Sequence, residues 1–186
     1  GGVSAATSVT RRRLLAFGLG GAALLTCGGG LSWLTLGYAL PEGDVPIATS
    51  PKELAIVRAI VEALLPEDGD LPSGLALGVH QRIDEELWSM PDWLRDDLKS
   101  AIQLLEHLPP LYGFAGRLTR LSPADREAAM RAFLRARSTP VVQAATALKQ
   151  MCHLFYFARD ESWPAIAYDG PWVSTPRPPP RACWSR

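Results

Sequence analysis

Between residues 50 and 158, apolar side chains recur every three or four positions. That period marks helices with one buried face. The first such run holds Leu54, Val57, Ile60, Val61, Leu64 and Leu65. Ser50-Pro51-Lys52-Glu53 opens it. The serine caps free amides, the proline suits the first turn, and the glutamate completes a capping box. Pro66 ends the run, and EDGDLPSG follows as a loop. Arg58 and Glu62 lie four apart and are expected to pair on the outer face. A second helix is predicted from about Leu75 to Ser89, with Leu75, Val79, Ile83 and Leu87 inward. Ser89-Met90-Pro91-Asp92 breaks the pattern. A third helix carries Leu94, Leu98, Ile102, Leu105 and Leu108, and stops at Pro109-Pro110. LYGFAGRLTRL contains two glycines and reads as an irregular or short helical connection. Ser122-Pro123 starts a fourth helix, with Ala129, Met130, Phe133 and Leu134 set against Arg126, Glu127, Arg131 and Arg135. Thr139-Pro140 starts the last, with Val141, Ala145, Leu148, Cys152 and Phe155 on one face. No stretch sustains a period of two. The expectation is an all-α domain over 50–173, a bundle of about five helices.

The chain ahead of this domain has a different texture. From Leu14 to Leu40 there is no charged side chain, a run of 27 residues. Roughly 20 residues suffice to cross a bilayer as a helix. Arg11, Arg12 and Arg13 precede the run and would keep its start on the cytoplasmic side. Residues 1–40 are therefore predicted to be a signal or membrane anchor, with 14–40 as a transmembrane or signal-anchor helix. TRRRLL at 10–15 also looks like a twin-arginine export signal. Gly37-Tyr38-Ala39 offers a weak small-x-small cleavage site near Ala39. Leu24-Leu25-Thr26-Cys27 faintly resembles a lipid attachment site. The reading taken is an uncleaved anchor, with cleavage and lipidation at Cys27 as alternatives. Residues 41–49, PEGDVPIAT, read as a linker, and 174–186 as a proline-rich tail.

Formal charge is zero over 186 residues. The first 41 residues hold three arginines and no acid, so the remainder carries about −3. That balance gives no reason to expect nucleic-acid binding. The chemistry-bearing residues are scattered. There is no CxxC, CxxCH or HExxH. Glu85 and Glu86 are neighbours and diverge on a helix. Glu67, Asp68 and Asp70 make an acidic loop without the twelve-residue calcium pattern. His80, His107 and His153 stand alone; Cys152-His153 is read as a core cysteine beside a boundary histidine. If the domain is exported, an oxidising compartment would permit a disulfide between Cys152 and Cys183, which their spacing does not itself indicate. No catalytic residue, metal ligand or bound cofactor is assigned. An enzyme using Glu85, Glu86 or His80 is the disfavoured alternative.

Several pieces keep a recognisable order: the arginine leader, ALLPEDG, LSPADREAAMRAFL, ALKQMCHLFYFA and WPAIAYDGPW. Together they resemble the gluconate 2-dehydrogenase subunit 3 family over most of 10–173. The resemblance implies a small non-catalytic subunit. Its partners would be a flavin-dependent dehydrogenase of sugars or alcohols and a multihaem cytochrome. Arg11 and Arg12 match the export pair that such a subunit lends to its large partner. The implied location is the bacterial inner membrane, with the N-terminus cytoplasmic and the helical domain in the periplasm. The alternative is a structural subunit of another energy-transducing integral membrane complex. Family members often read glycine-tyrosine in the last motif, where this chain has Ala167-Tyr168. Trp163, Tyr168, Asp169 and Trp172 of that motif, and Trp184 of the tail, are the candidate partner-binding residues. The aromatic ones serve equally as a latch over the helix ends or as interface anchors.

Overall fold

The computed structural model describes residues 37–170. Arg11, Arg12, Cys27, Trp172, Cys183, Trp184 and most of the apolar run lie outside those residues. The chain divides into two units, Gly1–Tyr38 and Ala39–Arg186. The second unit holds five α-helices among the described residues: α1 Pro51–Leu64, α2 Val79–Ser89, α3 Asp92–His107, α4 Pro123–Leu134 and α5 Thr139–Phe157. Short 3-10 turns occupy Pro109–Tyr112, Leu118–Arg120, Asp160–Ser162 and Pro164–Ile166. No strand occurs among the described residues, only a single bridge between Asp68 and Leu71. No helix among them is long and apolar enough to cross a membrane. The helix expected to run to Leu40 does not include residues 37–40, which are not helical; Gly37 sits at a φ of 89°.

α1 is the centre of the bundle and packs against all four other helices. Leu54, Ile56, Val57, Ile60 and Val61 are all buried, so its apolar surface is not confined to one stripe. A helix apolar nearly all round must be enclosed. The predicted capping box is formed: Ser50 accepts from the Glu53 amide, and Glu53 accepts from the Ser50 amide. The predicted Arg58–Glu62 pair is not found. Enclosure offers each a partner from another element. Arg58 bonds Asp44 and approaches His80, while Glu62 takes Arg126 of α4.

α2 starts at Val79 rather than Leu75. Gly78 stands in the left-handed region at a φ of 68°, which breaks the helical path. Leu77, not Leu75, is the buried residue of that turn. Arg126, expected on an outer face, is also a correction. Its Nε donates to the Leu118 carbonyl at 3.2 Å and its guanidinium to that of Leu121 at 3.1 Å. A short 3-10 turn leaves carbonyls open, and a buried carbonyl needs a donor.

Two polar arrangements were not foreseen. Glu106 of α3 and Arg117 are both 0% exposed, and Arg117 Nε lies 3.2 Å from Glu106 Oε1. Thr119 adds its amide at 3.1 Å and its hydroxyl at 2.6 Å to the same carboxylate. The second arrangement holds the segment read as a linker. Asp84 of α2, 2% exposed, accepts the amides of Ile47 at 2.5 Å, Ala48 at 3.1 Å and Thr49 at 2.7 Å. Lys99 of α3 donates to the Ala48 carbonyl at 2.6 Å. Asp44, further up, bonds Arg58 and Gln81 and lies 3.2 Å from His80 Nε2. Residues 44–49 therefore form a strap across the bundle.

These buried groups make the bundle sensitive to acid. Burial pushes His107 down to about 4, and Lys52 and Arg117 nearby add to it. Burial also lowers His80, with Arg58 adding and Asp44 opposing. A histidine depressed in the folded state takes its proton first when unfolded. Its stabilising contribution is full above about 6.5 and is lost as pH falls through the folded value. Water still reaches part of the His107 ring, so the loss is about 1–2 kcal/mol between pH 6.5 and 4. Urea titrations across that range are expected to show it, and His107→Gln is expected to flatten the slope.

Candidate functional site

The candidate surface starts where α5 ends. A helix leaves its last carbonyls without partners. Here the following residues supply them. Ser162 Oγ, buried, donates to the carbonyls of Tyr156 at 3.1 Å and Arg159 at 2.7 Å. Trp163 Nε1 donates to the Phe157 carbonyl at 2.9 Å. Pro164 opens the next 3-10 turn, where its fixed φ fits and its missing N–H costs nothing. Ala167 then turns the chain back at a φ of 52°. The Tyr168 amide bonds the Trp163 carbonyl at 3.1 Å, and the two rings meet edge to face with centroids 5.1 Å apart. Gly170, at a φ of 100°, lies against the Trp163 ring, so closely that a Cβ there would sit 3.2 Å from it.

Trp163 thus caps the helix while Tyr168, 42% exposed, stays open to solvent. Asp169 is exposed as well. Trp172 and Trp184 lie outside the described residues. Leu154, Phe157 and Ile166 are exposed around the same end of α5. Leu154 and Phe157 stand three positions apart on one side of α5, and Ile166 is exposed in the turn that follows, which makes this end of the helix a candidate contact surface. A second exposed pair, Trp88 and Trp93, flanks the turn between α2 and α3. Sequence reasoning passed over both. The available signal was that Leu87 and Leu94 already fill the inward positions beside them.

A groove of about 440 Å³ opens between the start of α2 and the end of α5. Leu77 and Phe155 form its apolar floor, with Gln81, Arg82, Glu85 and Arg159 around it. The Arg82 guanidinium lies over the Phe155 ring, 5.4 Å from its centroid.

The residues of the enzyme alternative do not converge. His80 is 3% exposed and engaged with Asp44 and Arg58. Glu85 and Glu86 both pair with Arg82 at the surface. Cys152 is a free, buried cysteine whose thiol burial pushes up to about 12, so it stays protonated. His153 turns away from it, its Nδ1 2.8 Å from the Lys149 carbonyl. Among the described residues, no three of His, Cys, Asp and Glu gather closely enough to hold a metal ion.

The family model for gluconate 2-dehydrogenase subunit 3 matches residues 51–170. The chain belongs to this family. No curated protein and no solved structure matches it. The subunit 3 match runs from the first residue of α1 to the turn at Gly170. It therefore includes the exposed aromatic end of α5 and excludes the strap.

Among the described residues, Ala167 is the residue other than glycine that takes a positive φ. An L-residue at a positive φ crowds its Cβ against the carbonyl, at a cost of roughly 1–2 kcal/mol. Glycine removes the crowding but adds freedom to the unfolded chain. Ala167→Gly is expected to stabilise the domain by about 0.5–1 kcal/mol, read as a higher urea midpoint.

Proposed function

We propose that this chain is a non-catalytic accessory subunit of a membrane-associated, flavin-dependent dehydrogenase of sugars or alcohols. It binds no cofactor of its own. Its partners are the flavoprotein and cytochrome subunits. Residues 1–40 tether it to the bacterial inner membrane or, through Arg11 and Arg12, direct export, and the helical domain works in the periplasm. Membership of the subunit 3 family carries this reading. The exposed group of Leu154, Phe157, Ile166 and Tyr168 supports it, because an apolar surface of this kind suits a protein partner.

The test is to tag the C-terminus, solubilise membranes gently and identify the co-purifying chains and this chain's own N-terminus by mass spectrometry. A flavoprotein and a cytochrome in stoichiometric amounts are the expected result. A different integral membrane complex, with residues 1–40 retained, would instead make the chain a structural subunit of that complex. Purification alone, with no redox subunit, would overturn the proposal. Tyr168→Ala combined with Phe157→Ala is expected to lower partner recovery without altering the helical circular dichroism.

A further inference from the structure

Trp88 and Trp93 are the most exposed aromatic residues among those described, at 56% and 62%. They stand on either side of Met90 and Pro91, the short connection between α2 and α3. The core does not need them, since Leu87 and Leu98 are buried beside them. Among the described residues, neither ring stacks on another aromatic and neither indole N–H has a partner. An exposed tryptophan keeps a large apolar face in water. It is also among the residues in which the binding energy of an interface concentrates.

The charge around these rings has one sign. Residues 84–97 hold six acids and one base, Arg95. Four of the acids are engaged: Asp84 holds the strap, Glu85 and Glu86 pair with Arg82, and Asp92 pairs with Arg95. Asp96 and Asp97 are exposed, and neither joins an ion pair among the described residues. Lys99, one turn further on, is held by the Ala48 carbonyl and Glu53. Trp93, Asp96 and Asp97 lie three and four positions apart, on one face of α3. That face therefore offers an open indole beside two open carboxylates. An indole face attracts a cation, and a carboxylate binds the same cation by charge-assisted hydrogen bonds. An anionic lipid surface or a nucleic acid would meet like charge here. An uncharged apolar partner would desolvate two carboxylates with nothing to offset them.

We propose that Trp88, Trp93, Asp96 and Asp97 form a docking surface for an arginine- or lysine-bearing polypeptide segment of a partner subunit. The α-carbons of the two tryptophans are at most about 18 Å apart, the reach of the chain between them. An extended segment of six residues covers about 20 Å. A cation seated on Trp93 meets Asp96 or Asp97, and a neighbouring side chain of the same segment covers Trp88. The origin of that segment in a partner subunit rests on the accessory-subunit reading. The attraction of the surface for cations does not.

Hydroxyl-radical labelling of the full-length protein, read by mass spectrometry with hexa-arginine as the probe, tests it. Hexa-arginine is expected to slow oxidation of Trp88 and Trp93 several-fold and to leave Tyr168 unchanged. The protection is expected to fade as salt rises. Asp96→Asn with Asp97→Asn is expected to abolish it. Asp68→Asn with Asp70→Asn, in the exposed acidic loop, is expected to leave it intact. Helical circular dichroism should be the same in both double variants. In the co-purified complex both indoles are expected to be protected, and the Asp96, Asp97 variant is expected to recover several-fold less partner. Hexa-arginine that protects neither indole, or protects them equally in the two double variants, would overturn the docking surface. Protection that rises with the concentration of the chain alone would make a second copy the occupant. Protection in phosphatidylglycerol vesicles without the probe would make it lipid. Either result overturns the proposal. A redox complex that forms with both indoles open sinks the proposal and leaves the accessory-subunit reading standing. A chain that binds hexa-arginine but purifies without any redox subunit does the reverse.

Discussion

Replacing Arg117 by methionine is expected to destabilise the bundle by about 3–5 kcal/mol, the usual cost of leaving one member of a buried ion pair alone. Glu106 would keep the Thr119 amide and hydroxyl but lose the Arg117 guanidinium at a site that is 0% exposed. The companion variant distinguishes a stabilising pair from a merely specific one. Glu106→Met with Arg117→Met removes both charges and keeps comparable volume. It is expected to recover most of the loss, short by about 1 kcal/mol because the Thr119 donors then lack their acceptor. Urea denaturation of the parent, both single variants and the double variant gives the coupling directly. A loss below 1 kcal/mol in Arg117→Met would mean that water enters the site and that the pair is not sealed.

Asp84→Ala is expected to cost about 2–4 kcal/mol, because the strap's three amides lose their common acceptor at once. Lys99 would remain on the Ala48 carbonyl and Asp44 on Arg58, so the strap should loosen between its ends without detaching. Hydrogen exchange is the sharper readout. Amides 47–49 should become fast while those of α4 and α5 change little. Asp84→Asn keeps an acceptor but turns a donor toward one of the amides, and an intermediate loss is expected. Equal exchange in parent and Asp84→Ala would show that the strap does not rest on this carboxylate.

The helices were legible because their signals are local. Ser50 with Glu53, Ser122 with Pro123 and the proline pair at 109–110 are cues within one turn of chain. Where reading failed, the deciding partner was remote in sequence. Arg58 and Glu62 have the right spacing to pair, but spacing cannot report Asp44 or Arg126. Glu106 occupies a position that the helical period places beside its buried neighbours, and nothing local announces that Arg117 comes to meet it. The strap looked like a linker for the same reason, since its polar groups find acceptors and donors 14 to 51 positions away. At the candidate site, the aromatic composition of the last motif was legible. The division of labour was not: Trp163 turns inward as a cap and Tyr168 outward, which depends on Ala167 holding a left-handed turn.

The central place of α1 has a consequence during synthesis. Its apolar sides are covered by α4 and α5, and α5 begins 75 positions after α1 ends. At about 5–20 residues per second, this first of the five bundle helices waits roughly 4–15 s for the start of its last cover. Through that interval Ile56, Val57, Ile60 and Val61 are a sticky surface on a growing chain. Among the described helices, the nascent protein is thus most prone to aggregate at α1. A helper that holds the chain during translation would have its greatest effect before the ribosome reaches Thr139.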